Sequence, residues 1–341
     1  MSRTYNPRMR TFVRSLIIGA DAESSFDSWR RYAESRWGQD EADVVLRAMQ
    51  SALTAANLGA PNPIAQEFFD LVRDRSVFGR LESLRRVPFG VRMMSMVTGS
   101  TGYWVGESNP KPVSKPTLSG SSLKTAKVAG LVVQTKEALQ RGGNVAEDAI
   151  IRDMQGAVTD VWDLAFLDAT NSGVADERPA SITNGAPTIA STGDAVADIG
   201  ALIASFDGDL SAAAFITDPK TAAQLALANG GTAFPDAGPR GGSLVGLPLI
   251  TSRTSPRDTN GGQIALVDAS GIAAADEGLR MSVSNQATLQ MRDDPEDTAT
   301  TAVSLFQTNS VAFLAEVMTN WEVQREGSVV VLTGADYPQG S

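Results

Sequence analysis

Residues 144–173 read NVAEDAIIRDMQGAVTDVWDLAFLDATNSG, and this stretch predicts the clearest helix of the chain. Its apolar residues recur every three or four positions, at Ile150, Met154, Val158, Val161 and Ala165. Trp162 widens the face that they form. Asn144 follows a Gly-Gly break and suits a helix N-cap, and Asn171 opens a breaker sequence after the last apolar position. A helix of this size is about 35–40 Å long, so we expect it to be the spine of a domain.

The composition excludes several classes of chemistry, because the 341 residues include no Cys and no His. Disulfide scaffolds, thiolate metal sites and catalytic triads with histidine are ruled out. Carboxylate pairs, Ser-Lys arrangements and oxygen-ligated cations are what remains. The apolar run at residues 128–133 is far below the ~18 residues that a membrane span needs. No signal peptide is evident either, so we expect a soluble protein without a membrane partner.

The charge is distributed unevenly along the chain. The net charge is −10, but residues 91–141 carry +5 and residues 142–239 carry −11. Four of the six lysines fall within seventeen residues, namely Lys111, Lys115, Lys124 and Lys127. A basic segment on an acidic body favours self-association, because one copy's positive segment suits a neighbour's negative surface. A solvated, flexible basic loop is the alternative, and charge alone leaves both open.

The first ninety residues predict short helices separated by breakers. One helix covers Phe26 to Trp37, a second covers Leu46 to Ala56, and a third begins after Asn62-Pro63. Three short helices bury little apolar area alone. Their aromatic faces either dock on another surface or pack as a helical subdomain on the same chain.

Residues 99–134 predict a long hairpin. Tyr103-Trp104-Val105 is strand-like, and residues 109–116 read NPKPVSKP, whose three prolines hold the backbone extended. A second strand-like run covers Lys124 to Gln134. A proline-rich hairpin of this length is better suited to lie on another molecule than on its own domain. We therefore expect its contact residues to be Lys111, Lys115, Lys124, Lys127, Trp104 and Pro112.

The rest of the chain predicts a small α/β unit followed by long strands. Asp194 and Asp218-Pro219 each begin a helix, and the strands of the unit cover Ala213–Thr217, Leu244–Ile250 and Gln263–Asp268. Val196 and Ile199 are expected on the buried face of the first helix. Strict alternation then predicts a strand over 281–292, broken in pattern only at Asn285. Strands are expected over 302–321 and 328–333, although residues 314–321 also suit a helix face.

No motif in the chain argues for catalysis or for a cofactor. Gly241-Gly242-Ser243-Leu244-Val245-Gly246 resembles a nucleophile elbow only loosely and has no histidine as base. Ser121 and Lys124 match SxxK, a pattern common by chance. The acidic run 293–297 lacks the spacing of an EF-hand, so a solvated turn is favoured over a calcium site. No nucleic-acid-reading module is visible, and a diffuse contact through the arginine-rich first fourteen residues stays open.

Taken in order, these parts resemble the major capsid protein of tailed bacteriophages, with the Hong Kong 97-type fold. The match covers roughly residues 75–335. The stretches that carry it are Val128–Leu139 and Phe166–Asp168 with Asn171–Gly173 around the spine helix, then Ala214–Pro219 (AFITDP) and Leu244–Ile250 (LVGLPLI).

The resemblance implies an α+β fold with five parts. These are an N-terminal helical arm (1–95), an extended E-loop (96–127), a first P-domain part with the spine helix (128–190), an A-domain (191–275), and a second P-domain part with the C-terminal tail (276–341). It implies a subunit that forms hexamers and pentamers in an icosahedral shell around double-stranded DNA, which it contacts non-specifically. A scaffolding, portal or decoration protein is a further candidate partner. The expected location is the virion capsid, assembled in the bacterial host cytoplasm.

Two departures from the family pattern limit this transfer. Some relatives carry a scaffolding segment of about a hundred residues, and residues 1–75 are shorter, so we expect a separate scaffolding protein or none. Some relatives also join an E-loop lysine to a P-domain asparagine. Lys111 or Lys115 with Asn309 or Asn320 would be the candidates here, but nothing in the residues requires such a link.

Two other functions stay as alternatives. An encapsulin nanocompartment shares the fold, although its subunits usually lack so long an N-terminal region. A carboxylate- or Ser-Lys-dependent enzyme is the alternative from another class. The absence of the common catalytic groups favours a structural protein over an enzyme, with no cofactor and no metal.

Overall fold

The computed structural model describes residues 11, 14–15, 17–18, 26–57, 69–70, 72–98, 104–105, 117–291 and 302–337. Its helices are α1 (Phe26–Trp37), α2 (Gln39–Asn57), α3 (Val77–Arg80), α4 (Lys136–Leu167), α5 (Ala195–Ala204) and α6 (Pro219–Gly231). The first strands are β1 (Arg85–Arg86), β2 (Arg92–Thr98), β3 (Thr117–Ser122), β4 (Ala126–Thr135), β5 (Thr188–Ala190), β6 (Ala213–Thr217) and β7 (Gly242–Leu244). The later strands are β8 (Leu247–Thr251), β9 (Gly262–Asp268), β10 (Ile272–Ser284), β11 (Thr288–Gln290), β12 (Ala302–Ser304), β13 (Ser310–Val323) and β14 (Val329–Ala335).

The chain forms two compact units, each built from three separated segments. One unit contains Met1–Asp74, Val128–Thr159 and Gly278–Val317. The other contains Arg75–Lys127, Asp160–Glu277 and Met318–Ser341. The α+β class expected from the sequence is confirmed. The start of the helix predicted after Asn62-Pro63 lies outside the described residues, and residues 69–70 and 72–75, which follow it, are helical.

The long helix α4 has 32 residues and is about 48 Å long. The predicted break at Gly142-Gly143 is wrong, because the helix runs through both glycines from Lys136. Each glycine costs about 1 kcal/mol relative to alanine, which weakens a helix without ending it. Thr135 precedes the helix, and its Oγ1 accepts a hydrogen bond from the Ala138 amide at 3.2 Å. In the described part of the chain, neither α4 nor any other helix has the length and apolar composition of a membrane span.

The buried face of α4 follows a spacing of four residues. Met154, Val158, Trp162 and Phe166 are all buried. The expectation that Val161 belongs to this face is wrong, since Val161 is 54% exposed. Each step of four residues turns about 40° around the helix, so the buried face moves gradually from Met154 to Phe166, and Val161 points about 100° away from its neighbour Trp162. The helical position of Ile150 is described, but its side chain is not.

A six-stranded sheet forms the centre of the second unit, with the strand order β5-β14-β9-β6-β8-β7. Strand β9 runs antiparallel to β14 and β6, and β6 runs parallel to β8. Every residue of β6 and β9 is buried, as expected for strands that consist mainly of apolar residues. Helices α5 and α6 contribute Leu202 and Leu225 to the same core.

The caps of α5 and α6 are as predicted. Asp194 accepts hydrogen bonds from the amides of Val196 and Ala197, and Asp218 accepts from those of Lys220 and Thr221. Val196 is 51% exposed, so its predicted burial is wrong, while that of Ile199 is confirmed.

A four-stranded sheet has the order β1-β10-β13-β4. The predicted strand over 281–292 is divided, because β10 begins at Ile272 and ends at Ser284 and β11 begins at Thr288. The interruption includes Asn285, the one position where the alternation failed. Residues 310–323 form a strand, with burial alternating along most of its length, so the helical alternative for 314–321 is wrong. The acidic run 293–297 lies outside the described residues.

The predicted strand Leu244–Ile250 is a two-residue hairpin. β7 ends at Leu244 and β8 begins at Leu247, with Val245 at φ 54° and Gly246 at φ 80° between them. Glycine adopts this left-handed region freely, but a β-branched residue does so at a cost. Val245 is also 60% exposed, so little local packing offsets that cost.

Replacing Val245 with asparagine should stabilise the subunit. Asn tolerates the left-handed region, which costs other L-residues about 1–2 kcal/mol, so Val245→Asn should raise the free energy of unfolding by about 1 kcal/mol. Val245→Thr keeps the β-branch and should bring no such gain. Urea unfolding of unassembled subunits measures both, and equal stability of the two variants would contradict the strain.

Candidate subunit interface

The hairpin expected from the sequence is present, but other residues form it. β2 and β3 pair antiparallel, with Arg92 opposite Ser122 and Thr98 opposite Thr117. The first predicted strand is wrong, because Trp104 and Val105 lie in no strand. The Lys124–Gln134 run is confirmed as a strand, β4, but it belongs to the four-stranded sheet and not to the hairpin. A Cβ on Gly120 would lie 3.0 Å from Nε of Arg92, so this arginine side chain lies close over the glycine.

The base of the hairpin is anchored by apolar contacts. Met93 of β2 and Leu123 after β3 are buried in one cluster with Ala273 and Ala275 of β10. Val87 and Phe89 pack against that cluster. The two strands therefore leave the sheet from a fixed point.

The hairpin exposes apolar side chains both on its strands and beyond them. Trp104 is fully exposed, and Met94 of β2 is 64% exposed. Lys111, Pro112 and Lys115 lie outside the described residues. Tryptophan, with tyrosine and arginine, is enriched among the residues that contribute most of the binding energy at protein interfaces.

Lys124 pairs with the same chain. Its Nζ lies 2.5 Å from Oδ1 of Asp176, with both side chains largely exposed. Exposed pairs of this kind contribute about 0–1 kcal/mol, so the contact orients Lys124 more than it stabilises the subunit. Lys127 is exposed at the start of β4. Ser121, the partner of Lys124 in the SxxK pattern, accepts instead from Nε2 of Gln324 at 3.2 Å.

Asn320 and Asn309, the asparagines considered for a covalent link, have other roles. Asn320 donates from Nδ2 to the Lys124 carbonyl and accepts from the Trp321 amide at 2.7 Å. Asn309 has φ 50°, and its carbonyl accepts from the amide of Lys136, the first residue of α4.

A cavity of about 310 Å³ opens beside the hairpin base, lined by residues 121–126, 174–179 and 320–322. One wall is the loop that follows α4, which Asn171 holds through hydrogen bonds to the carbonyls of Ala165 and Pro179. Gly173 is required in that loop, because at φ 79° a Cβ would lie 2.7 Å from the Ala180 nitrogen. Sequence reasoning missed the cavity, since its walls come from three distant stretches. Across the described residues, no group of three or more acidic side chains is placed to hold a metal ion.

Comparison with known proteins identifies the family. The family described as "Phage capsid family" matches residues 56–334, most of the chain. The chain belongs to the phage capsid family.

Named relatives agree with this phage capsid assignment. The "Capsid polyprotein" of Pseudomonas phage PAJU2 is 36% identical, over 86% of this chain and 48% of that protein. This chain thus spans about half the length of that curated relative. The encapsulin alternative is not favoured, because the matching family and this relative are phage capsid proteins.

Solved structures share the fold. One from Gordonia phage Cozz is 22% identical with a TM-score of 0.52, over 77% of this chain and 87% of that one. One from Mycobacterium phage Adephagia is 17% identical with a TM-score of 0.55, over 76% and 90%. The capsid of a native GTA particle is 15% identical with a TM-score of 0.50, over 74% and 88%. The fold is therefore the Hong Kong 97-type capsid fold expected from the sequence.

In this capsid-family subunit the spine residues belong to the core. Trp162 lies 4.9 Å from Phe78 between ring centroids, and Phe166 lies 5.1 Å from Trp321. Nε1 of Trp321 donates to the Ala180 carbonyl at 2.7 Å. Met154 and Val158 are also buried, so these spine positions shape the subunit from inside.

A carboxylate that sequence reasoning missed lies beside this aromatic group. Asp163 is buried, and it accepts hydrogen bonds from the Val77 amide at 2.8 Å and from Oγ of Ser252 at 2.7 Å. Burial raises the pKa of Asp163 from 3.8 to about 6, although these two hydrogen bonds and Arg80 oppose the shift. The sequence signal that could have predicted this buried carboxylate was its position next to Trp162, on the buried face of a helix.

The capsid subunit should lose stability as Asp163 ionises. The unfolded chain releases this proton near pH 4 and the folded chain near pH 6, so the free energy of unfolding should fall across that interval. A shift of this size corresponds to a loss of about 3 kcal/mol. Asp163→Asn keeps an acceptor for Val77 and gives Ser252 a donor. It should be more stable than the wild type at pH 7.5 but not at pH 4.

Urea unfolding at the two pH values measures this difference. Asp153→Asn, at an exposed position on α4, is the matched control and should not change the pH dependence. A stability difference between Asp163→Asn and the wild type that is the same at both pH values would contradict the role of ionisation.

Proposed function

We propose that this chain is the major capsid subunit of a tailed phage or prophage, and that its copies assemble into an icosahedral shell around double-stranded DNA. The hairpin β2–β3 carries the proposal, because its fully exposed Trp104 has no cover within a single subunit. Membership of the phage capsid family supports the same role. The role is structural rather than enzymatic, and the interface is built from surface burial and charge.

The domain organisation proposed for the shell subunit follows the resemblance. Residues 1–95 form an N-terminal arm, 96–127 the E-loop, 128–190 and 276–341 the P-domain with the C-terminal tail, and 191–275 the A-domain. The anchored hairpin base supports an E-loop that is fixed at one end and reaches a neighbour at the other. Hexamers and pentamers of such subunits would close the shell.

Partners other than a second copy belong to the same proposal. The packaged DNA would be contacted non-specifically through its phosphates. Scaffolding, portal and decoration proteins are the further candidates. The location is the virion capsid, after assembly in the cytoplasm of a bacterial host.

Electron microscopy of the purified protein tests the proposal directly. Expression of the chain should give closed particles in negative stain, and particles from infected or induced cells should contain nuclease-protected DNA. A 35.9 kDa monomer that never associates and turns over a substrate would contradict it.

Charge reversal of the hairpin should separate assembly from folding. Replacing Lys111, Lys115, Lys124 and Lys127 with Glu should abolish or strongly slow shell formation, because the basic segment loses its attraction to the acidic surface of a neighbour and Lys124 also loses its pairing with Asp176 beside the hairpin base. The circular dichroism and melting of unassembled subunits should change little, since exposed pairs contribute only ~0.2–1 kcal/mol each. Raising the salt should weaken wild-type assembly in the same direction.

Lys220→Glu is the matched control for this charge reversal. Lys220 is exposed on α6, far from the hairpin in sequence, and its reversal should leave assembly close to wild type. Shells that form normally from the fourfold variant would show that charge is incidental. Unfolding of its monomer would show that the hairpin packs on its own domain.

A further inference from the structure

We propose that the cavity beside the hairpin base is the docking site for Trp104 of a second copy. This inference rests on the proposed self-assembly and names the acceptor that the hairpin reaches. The docked unit is one indole side chain, inserted head-to-tail, so that each subunit gives a hairpin to one neighbour and receives one from another.

The cavity has the chemistry that an indole ring needs. Leu123, Ala126 and Trp321 line it and are buried, which gives an apolar floor. Charged side chains line it as well, at Lys124, Asp176, Glu177, Arg178 and Glu322. Tryptophan is apolar over most of its surface and polar at one N–H, so it suits an apolar cavity with a polar rim.

The rim offers contacts for both the N–H edge and the face of the indole ring. Within the described part of the chain, the carboxylates of Glu177 and Glu322 make no ion pair, so either is available to accept the indole N–H. Arg178 is exposed at the same rim, where its guanidinium can lie against the face of the ring.

The same chain does not fill its own cavity. Trp104 is fully exposed, although the cavity is part of the same molecule. The cavity borders Ser121 and Ser122, opposite the start of β2. From there β2 leads away for seven residues, roughly 20 Å, and Trp104 follows six residues later in sequence. An arm that leaves its own base in this way is built to reach another copy.

Charge favours a second copy as the occupant. The segment between β2 and β3, residues 99–116, carries Lys111 and Lys115 against one acid, Glu107, whereas three acids and two bases line the cavity. Contacts that join the tip of one copy to the base of the next are heterologous and generate closed rings when the rotation allows. One such contact repeated around a hexamer or pentamer requires no further kind of partner.

The acceptor is formed before docking. Asn171 and Gly173 fix one wall, and the Lys124–Asp176 pair bridges the rim. A preformed site loses little conformational entropy on binding, so more of the burial of the ring contributes to affinity.

Site-specific cross-linking tests the docking. Because the chain has no Cys, only the introduced cysteines can react with the cross-linker. Val105→Cys labels the hairpin without removing Trp104, and Glu177→Cys or Thr125→Cys labels the cavity rim. Particles confirmed by electron microscopy are treated with a short bis-maleimide and run on a denaturing gel. We expect at least one of the two pairs to give a ladder of linked chains. Val105→Cys with Leu227→Cys, an exposed position on α6, is the control and should give none.

Each result of the cross-linking has one meaning. A ladder from a rim pair alone supports the docking. Particles in which neither rim pair links two chains, links that stay within one chain, or links to a different protein would each overturn it. A wild-type chain that never forms particles contradicts the proposed function itself, whereas particles without the link contradict only this inference.

Truncation of Trp104 provides an independent test. Trp104→Ala should raise the protein concentration needed for shell formation at least tenfold, and Trp104→Phe should raise it less. The melting of unassembled subunits should not change, because the side chain is fully exposed. Phe306→Ala removes another aromatic, 78% exposed, and serves as the control. Equal effects of Trp104→Ala and Phe306→Ala would overturn a specific role for Trp104.

Discussion

An isolated two-stranded hairpin is marginal in water, and this constraint governs the structure around β2 and β3. In the described part of the chain these strands pair only with each other. Their stability depends on the base, where Met93 and Leu123 are buried against β10. The loop held by Asn171 lies beside this base and lines the same cavity.

At the C-terminal end of the spine helix α4, aromatic burial stabilises the fold and a buried carboxylate opposes it. Trp162 and Phe166 bury large aromatic surfaces against Phe78 and Trp321, which strongly favours the folded state. Asp163 is buried beside them and raises the cost of folding at neutral pH. The two hydrogen bonds that it accepts, from Val77 and Ser252, connect α3 and the segment after β8 to the helix. The same residue therefore weakens the subunit and fixes the geometry of this junction.

The sequence predicted the elements whose signals are local. Asp194 and Asp218-Pro219 marked the starts of α5 and α6, because a cap is a property of a few adjacent residues. The hairpin strands were missed since RMMSMVT and TLSGSS show no clear apolar alternation, so Trp104 and its neighbours looked more strand-like. The helix start was missed because two glycines outweighed Thr135 as a signal.

The candidate site was predictable only in part. A hairpin in this part of the chain was predicted from its prolines and lysines, but the pairing of Lys124 with Asp176 joins residues 52 positions apart. The cavity depends on three stretches of chain that only the tertiary fold brings together. No pattern within one stretch carries that information. The domain boundaries and the contact residues of the hairpin therefore stay predictions.

Energetics explain why one docked tryptophan suits a shell better than a strong pairwise interface. Burial of 150–250 Å² at about 25 cal/mol/Å² contributes roughly 4–6 kcal/mol. Association costs about 4–15 kcal/mol in lost freedom, so a single contact leaves two free subunits largely apart. In a closed ring each subunit both gives and receives a hairpin, so a ring of n subunits forms n contacts for n − 1 losses of freedom, because the closing contact joins chains already held together. Wrong contacts thus dissociate early, while the closed ring persists. Because the chain has no Cys, no disulfide makes an early error permanent.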